Sequence, residues 1–107
     1  MKKTVILIVI FSFVFLAIGC GGPLPDATFK VTYLCSVQES YGYPPIDDTK
    51  YLNGTEATVL GPHTLVLAGH KFDGWNTRAN GTGTHYEEGE TLVVNRNIFL
   101  YAMWELE

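Results

Sequence analysis

The sequence predicts a mostly β domain from about residue 28 onward, and three observations predict it. Phe29, Val31, Tyr33 and Cys35 alternate with Thr28, Lys30, Thr32 and Leu34, the period-two pattern of a strand with one buried face. Ile98, Leu100, Ala102 and Trp104 alternate in the same way with Phe99, Tyr101 and Met103. No window of eleven or more residues beyond the N-terminal segment shows a helical period with caps, which leaves room for one helical turn at most.

The elements follow in order. Ser36 to Gly54 has no clear period and carries Tyr41-Gly42-Tyr43-Pro44-Pro45 ahead of Asp47 and Asp48, so a loop is expected. Nineteen structureless residues are unusual in a small domain, so a helical turn or a short strand near Lys50 to Leu52 is expected within it. Glu56 to Leu60 and Thr64 to Ala68 are short runs rich in Val, Leu and Thr, predicted as two brief strands turning at Gly61-Pro62-His63. His70 to Thr77 alternates imperfectly through Phe72 and Trp75, with Gly74 admitting close backbone approach, and Asn80-Gly81-Thr82-Gly83 supplies a tight reversal. Thr91 to Val94 is β-branched, Asn95-Arg96-Asn97 turns, and Ile98 to Trp104 follows. Apolar groups on both faces of that last run predict a central strand covered on each side.

Upstream, Lys2 and Lys3 precede an apolar run from Val5 to Ile18 broken only by Ser12, the layout of a secretory signal. It is shorter than the roughly 20 apolar residues of a spanning helix. Ala17 and Gly19 place small side chains before Cys20, and Leu16-Ala17-Ile18-Gly19-Cys20 resembles the lipobox of bacterial lipoproteins. The resemblance implies cleavage between Gly19 and Cys20, removal of residues 1–19, and a diacylglycerol thioether with an N-acyl chain on Cys20. Two or more chains hold a membrane stably where one does not. No other cofactor is expected. The alternative is an uncleaved signal anchor in which Cys20 is an ordinary cysteine. Residues 20–27, with two glycines and two prolines, read as a tether, and 28–107 as the domain. Gly21 stands where lipoproteins kept at the inner membrane carry an aspartate, which favours the outer membrane or cell surface.

From Cys20 onward five basic residues face eleven acidic ones, a net charge of −6 that disfavours nucleic acid as a partner. Cys35 is the remaining cysteine, so the domain has no internal disulfide and relies on packing. Its place in an alternating run predicts a buried small hydrophobe, with a reactive thiol or an intermolecular bridge as the alternative.

The second half is more specific. Gly69-His70-Lys71-Phe72-Asp73-Gly74-Trp75-Asn76-Thr77, then Asn80-Gly81-Thr82-Gly83-Thr84-His85-Tyr86, Gly89-Glu90 and Leu100-Tyr101-Ala102-Met103-Trp104 together resemble the Listeria-Bacteroides repeat, the family of the internalin B-repeat. Val31-Thr32-Tyr33, Pro45, Tyr51, Asn53-Gly54-Thr55 and Thr58-Val59-Leu60-Gly61 extend the likeness to about Phe29 to Glu105. His70 and Met103 depart from the usual aromatic and polar residues, and Cys35 to Glu39 replaces the usual Asn-Gly-Gly turn. The resemblance implies a small twisted β-sheet module, β-grasp-like and with little or no helix, linked with adhesion, spacing and protein contacts at cell surfaces. No catalytic residues travel with it.

Phe72, Trp75, Tyr86, Leu100 and Trp104 are accordingly the expected core, with Trp75 and Trp104 worth several kcal/mol if buried. The functional alternative makes the two tryptophans a stacking platform for sugar rings. Tyr41, Tyr43, Pro44 and Pro45 form the candidate binding patch, because tyrosine and proline on a loop give contact area at low entropy cost; the alternative is that Tyr41 or Tyr43 folds back on the core. His63, His70 and His85 lack metal-ligand spacing, and His85 with Glu87, Glu88 and Glu90 reads as a solvated charged turn, so no metal is expected. Ser36 and Ser40 lack a nucleophile elbow, and Asp47 and Asp48, being adjacent, point apart, so no catalysis is expected. Three classes of function remain. The chain is a monomeric surface binding or adhesion module with a protein or glycan partner, a structural or spacer lipoprotein without a specific ligand, or, least favoured, a small hydrolase or metal carrier.

Overall fold

The structure, a computed structural model, describes residues 27–107. The signal segment 1–19, Gly19 and Cys20 with the expected lipid, and the tether as far as residue 26 lie outside the described residues. Among the described residues there are eight strands and no helix: β1 Thr28–Phe29, β2 Val31–Leu34, β3 Tyr51–Leu52, β4 Thr55–Thr58, β5 His70–Asn76, β6 His85–Tyr86, β7 Thr91–Val94 and β8 Ile98–Leu106. None of the described residues forms a helix able to cross a membrane.

Four strands form the main sheet in the order β2-β8-β5-β6. β8 runs parallel to β2, with Ile98 opposite Val31 and Tyr101 opposite Leu34. It runs antiparallel to β5, with Ala102 opposite Trp75 and Trp104 opposite Phe72, and the register shifts between those two pairs. A parallel pair cannot be closed by a tight turn, so the chain between β2 and β8 is long; part of it supplies β5 and β6 to the sheet and the rest folds over one face. That face collects the core: Val31, Tyr33, Trp75, Leu100 and Ala102 from the sheet, and Ala57, Val59, Leu65, Leu92 and Val94 from the covering chain. The covering chain is itself ordered by two ribbons, β1 with β3 and β4 with β7.

The structure corrects several expectations. The first strand is interrupted at Lys30, whose N–H donates to Asn97 Oδ1 and whose carbonyl accepts from the Ile98 N–H. It also stops at Leu34, so Cys35 is exposed rather than buried. The pattern misled because alternation ran one residue past the pairing with β8. Thr64 to Ala68 is not a strand, and its one pairing of strand type is an isolated bridge from Val66 to Tyr41. Pro62 has no N–H to pair, and His63 takes a left-handed φ of 56°, so the chain turns where a hairpin was expected and β4 pairs with β7 instead. Of the two options for the long loop, the short strand is the one formed, at Tyr51–Leu52. β8 is central, yet only one face of it is sealed: Leu100 and Ala102 are buried while Phe99 between Ile98 and Leu100 is 49% exposed.

Candidate functional site

The five expected core residues lie together. Trp75 and Leu100 have no exposure, and Phe72, Tyr86 and Trp104 pack partly buried against them. Edge-to-face contacts link Tyr33 to Trp75 at 4.8 Å, Phe72 to Trp75 at 5.2 Å and Phe72 to Trp104 at 5.8 Å, the preferred geometry for aromatic quadrupoles. The buried Trp75 leaves no pair of open indole faces, so the two tryptophans are not a platform for sugar rings.

The Tyr41 to Pro45 segment is placed differently. Tyr41 is 70% exposed and Tyr43 77%, with Ile46 at 82% just beyond. Neither tyrosine folds back on the core. The backbone beneath them is nevertheless held. Tyr41 and Val66 exchange two N–H···O bonds of 2.8 and 2.9 Å, the Tyr43 N–H donates to Thr64 Oγ1 at 2.8 Å, and the Thr64 N–H donates to the Tyr43 carbonyl at 3.3 Å. Gly42, at φ 85°, sits so close that a Cβ there would collide with the Thr64 carbonyl. Two proline rings then fix φ on the far side of Tyr43. The result is a pair of tyrosines displayed outward on a fastened loop.

Beside Tyr41 a groove of about 660 Å³ runs between the Ser36–Tyr41 loop and the Met103–Trp104 end of β8, with Leu67 and His70 in its wall. The Nε1–H of Trp104, which lines the groove, is buried without an acceptor among the described residues. A buried donor without a partner costs about 1–3 kcal/mol. The groove was not visible in the sequence, because its walls come from segments distant along the chain.

The residues considered for catalysis are dispersed. Ser36 Oγ donates to the Ala102 carbonyl and Ser40 Oγ to the Val37 carbonyl, so both hydroxyls tie down the first loop. Asp47 accepts from Tyr51 Oη at 2.5 Å and from the Thr49 N–H at 2.9 Å. Burial pushes its pKa up, but the hydrogen bonds outweigh it and hold the carboxyl below its ordinary value. His63 and His70 lie against the carbonyls of Tyr43 and Ala68. His85 Nε2 meets Glu87 Oε2 at 2.6 Å, and Asp73, far from them in sequence, brings its carboxylate within 4.8 Å of both. Glu88 lies instead beside Gly61, and Glu90 Oε1 accepts from the Glu87 N–H. The turn therefore splits the four charged residues that stand together in the sequence.

Asn76 carried no functional expectation, yet it is central to its loop. It is buried, its Oδ1 accepts from the N–H groups of Arg78 and Gly83, and its Nδ2 donates to the Gly81 carbonyl, so one amide organises the whole β5–β6 loop. A polar residue directly after Trp75, with glycines five and seven positions on, was the available signal.

Two relatives share part of this chain. A protein of Evansella cellulosilytica named "Putative Gly-rich membrane protein" is 41% identical over 66 residues, which is 61% of this chain and 8% of that protein. A second from the same organism, named "Putative membrane protein", is 43% identical over 51 residues, 47% of this chain and again 8% of the relative. The chain thus spans a small fraction of the length of either. No solved structure matches. The Listeria-Bacteroides repeat model matches residues 29–103, which takes in all eight strands apart from the first residue of β1 and the end of β8, and the chain belongs to the Listeria-Bacteroides repeat domain family.

Proposed function

We propose that this chain is a membrane-anchored lipoprotein of the cell envelope whose single repeat domain is a surface binding or adhesion module, acting by contact and without catalysis. The observation that carries this reading is the display of Tyr41, Tyr43 and Ile46 on a loop whose backbone is already fastened to 64–66. A loop ordered before it meets a partner loses little entropy on binding, and tyrosine is enriched where proteins recognise one another. The adjoining groove, whose wall includes Tyr41 itself, offers a partner's side chain somewhere to seat. A spacer without a ligand has no use for three large apolar groups in water.

Two relatives named as membrane proteins support an envelope address, and the lipobox-like run ending in Cys20 supplies the anchor. The lipid is the membrane contact, the outer membrane or cell surface is favoured over the inner membrane, and the partner is a protein or glycan met there. Cys20→Ser is expected to leave an uncleaved precursor that takes up no labelled fatty acid; label entering that variant would remove the anchor. Sedimentation of residues 27–107 with isolated cell envelopes tests the domain itself. Tyr41→Ser with Tyr43→Ser should weaken that binding by about tenfold or more, since interface aromatics carry about 1–3 kcal/mol each. Binding unchanged by the double substitution would leave the spacer role in its place.

A further inference from the structure

The outer face of the main sheet, opposite the core, is a second surface with a different chemistry. Phe99 is 49% exposed there and Tyr101 is partly exposed two residues further along β8. Two concavities flank these rings, and Thr77 and Tyr101 belong to the walls of both, which makes the two contiguous. Arg96 of the β7–β8 turn lines one and Arg78 of the β5–β6 loop lines the other. These are the only two arginines in the sequence. The ion pairs among the described residues are Lys71 with Glu105 and His85 with Glu87, so neither guanidinium is spent on a carboxylate.

The charge distribution is the decisive point. The chain carries eleven acidic residues against seven basic ones, yet no Asp or Glu lines either concavity. By contrast, Glu39 lines the groove beside Tyr41, and Asp47 and Asp48 line the hollow under Pro44. Neither concavity is lined by a carboxylate, and between them they hold both arginines of this acidic chain. What that face complements is a ligand with negative charge, flat apolar surface and hydrogen-bonding groups together. Guanidinium forks match carboxylates with two parallel N–H···O bonds. Exposed aromatic rings accept the C–H faces of pyranose rings, and the amide of Asn95 and hydroxyl of Thr77 at the edge match sugar hydroxyls.

We infer that the face formed by Phe99, Tyr101, Arg78 and Arg96 is a binding site for a carboxylated polysaccharide, that is, a chain containing uronic or similar acidic sugars. The aromatic rings stack on successive sugars and the two arginines take carboxylates on either side of Tyr101. A nucleic acid fits less well, because two phosphate contacts release few counterions. The site shares no residue with the Tyr41–Ile46 loop, so it stands or falls separately from the binding role given to that loop.

Affinity electrophoresis of the full chain, in non-ionic detergent, through gels containing polygalacturonate tests it. The chain should be retarded by polygalacturonate and much less by the same polymer fully methyl-esterified, which keeps the sugar rings and removes the charge. Arg78→Gln with Arg96→Gln should weaken the retardation by about tenfold or more, and Phe99→Ala by several fold, as expected when bidentate pairing or ring stacking is removed at an exposed position. All three positions are exposed, so the melting temperature should stay within a few degrees, and Tyr41→Ser with Tyr43→Ser should leave the retardation unchanged. Four results would overturn the site. They are no retardation by polygalacturonate, equal retardation by the ester, undiminished binding in the arginine double variant, and tighter binding to polyglutamate or a single-stranded oligonucleotide than to polygalacturonate.

Discussion

The rings of Tyr33 and Trp75 meet edge to face at 4.8 Å, and each is hydrogen-bonded to the backbone of the same residue, Leu60. The Leu60 N–H donates to Tyr33 Oη at 3.0 Å, and Trp75 Nε1–H donates to the Leu60 carbonyl at 2.7 Å. β2, β5 and the stretch just after β4 are thereby locked at one point, with the polar handles of two buried aromatics both engaged. Burial raises the Tyr33 pKa although the bond from Leu60 pulls it the other way, so the phenol stays neutral and able to accept.

Trp75→Ala should therefore cost about 3–5 kcal/mol, as for other large aromatics removed from a core. Trp75→Phe keeps much of the packing but leaves the Leu60 carbonyl unpaired, and should cost about 1–3 kcal/mol of that. Tyr33→Phe should cost about 1 kcal/mol by the same logic applied to the Leu60 N–H. Urea melts of the three variants check the order. A Trp75→Phe variant as unstable as Trp75→Ala would mean that the hydrogen bond, rather than the packed area, dominates.

Glycine positions separate conformational strain from steric exclusion. Gly74 has φ 82°, and a Cβ there would stand 2.7 Å from His85 Cε1 and 2.8 Å from the Tyr86 carbonyl, between β5 and β6. Gly54 has φ 87° with nothing within 4 Å of the same added atom. Gly54→Ala should cost about 1–2 kcal/mol, the left-handed penalty alone. Gly74→Ala adds displacement of β6 and should exceed Gly54→Ala by about 1–3 kcal/mol. Thermal melts of the pair decide it, and equal losses would show that β6 moves aside freely.

Much of this was legible from the chain because local signals coincide with tertiary pairing. Val31/Tyr33 and Leu100/Ala102 alternate, and they do line one face. Trp75 sits in a motif whose neighbours pack as expected. What escaped was set by contacts distant in sequence. The parallel pairing of Ile98 with Val31 joins residues far apart, and no local pattern distinguishes it from an antiparallel one. Val66 reads as strand by composition, but a single bridge to Tyr41 is all the geometry after Pro62-His63 permits. The loop tyrosines could be nominated from residue type, whereas the groove beside Tyr41 and the two carboxylate-free concavities around Tyr101 exist only once separate segments are brought together.

Acid should weaken the Tyr51–Asp47 anchor of the long loop. Because the folded carboxyl titrates below the ordinary 3.8, ionised Asp47 contributes stability that is present above that value and is lost as pH falls through the lower folded pKa. The partner works in the other direction. Burial, then the bond to Asp47, raises the Tyr51 phenol above 10.0, so its contribution is present below 10.0 and is lost as pH rises past it. Asp47 is only partly buried, so the effect at neutral pH should be below about 1 kcal/mol. Urea melts of wild type and Asp47→Asn across pH should show a gap at pH 6–7 that closes only as the pH falls below 3.8 to where the folded carboxyl is protonated. A gap that is constant down to that pH would mean that the bonds to Asp47 do not depend on its charge.

Cys35 offers the plainest check on the end of β2. The strand stops at Leu34, the thiol is exposed, and the alternation that placed it inside has no pairing to enforce it. An aromatic disulfide reagent should modify Cys35 in the native chain, without denaturant, at the rate of an open thiol. Since the side chain is not packed in the core, Cys35→Ser should change stability by less than about 0.5 kcal/mol, as for other surface positions. Had the residue been packed under the sheet, the same substitution would bury a hydroxyl and cost about 1–3 kcal/mol, and modification would wait for unfolding. Labelling that appears only in urea, together with a loss of that size, would put Cys35 back on the inner face and extend β2 by one residue against β8.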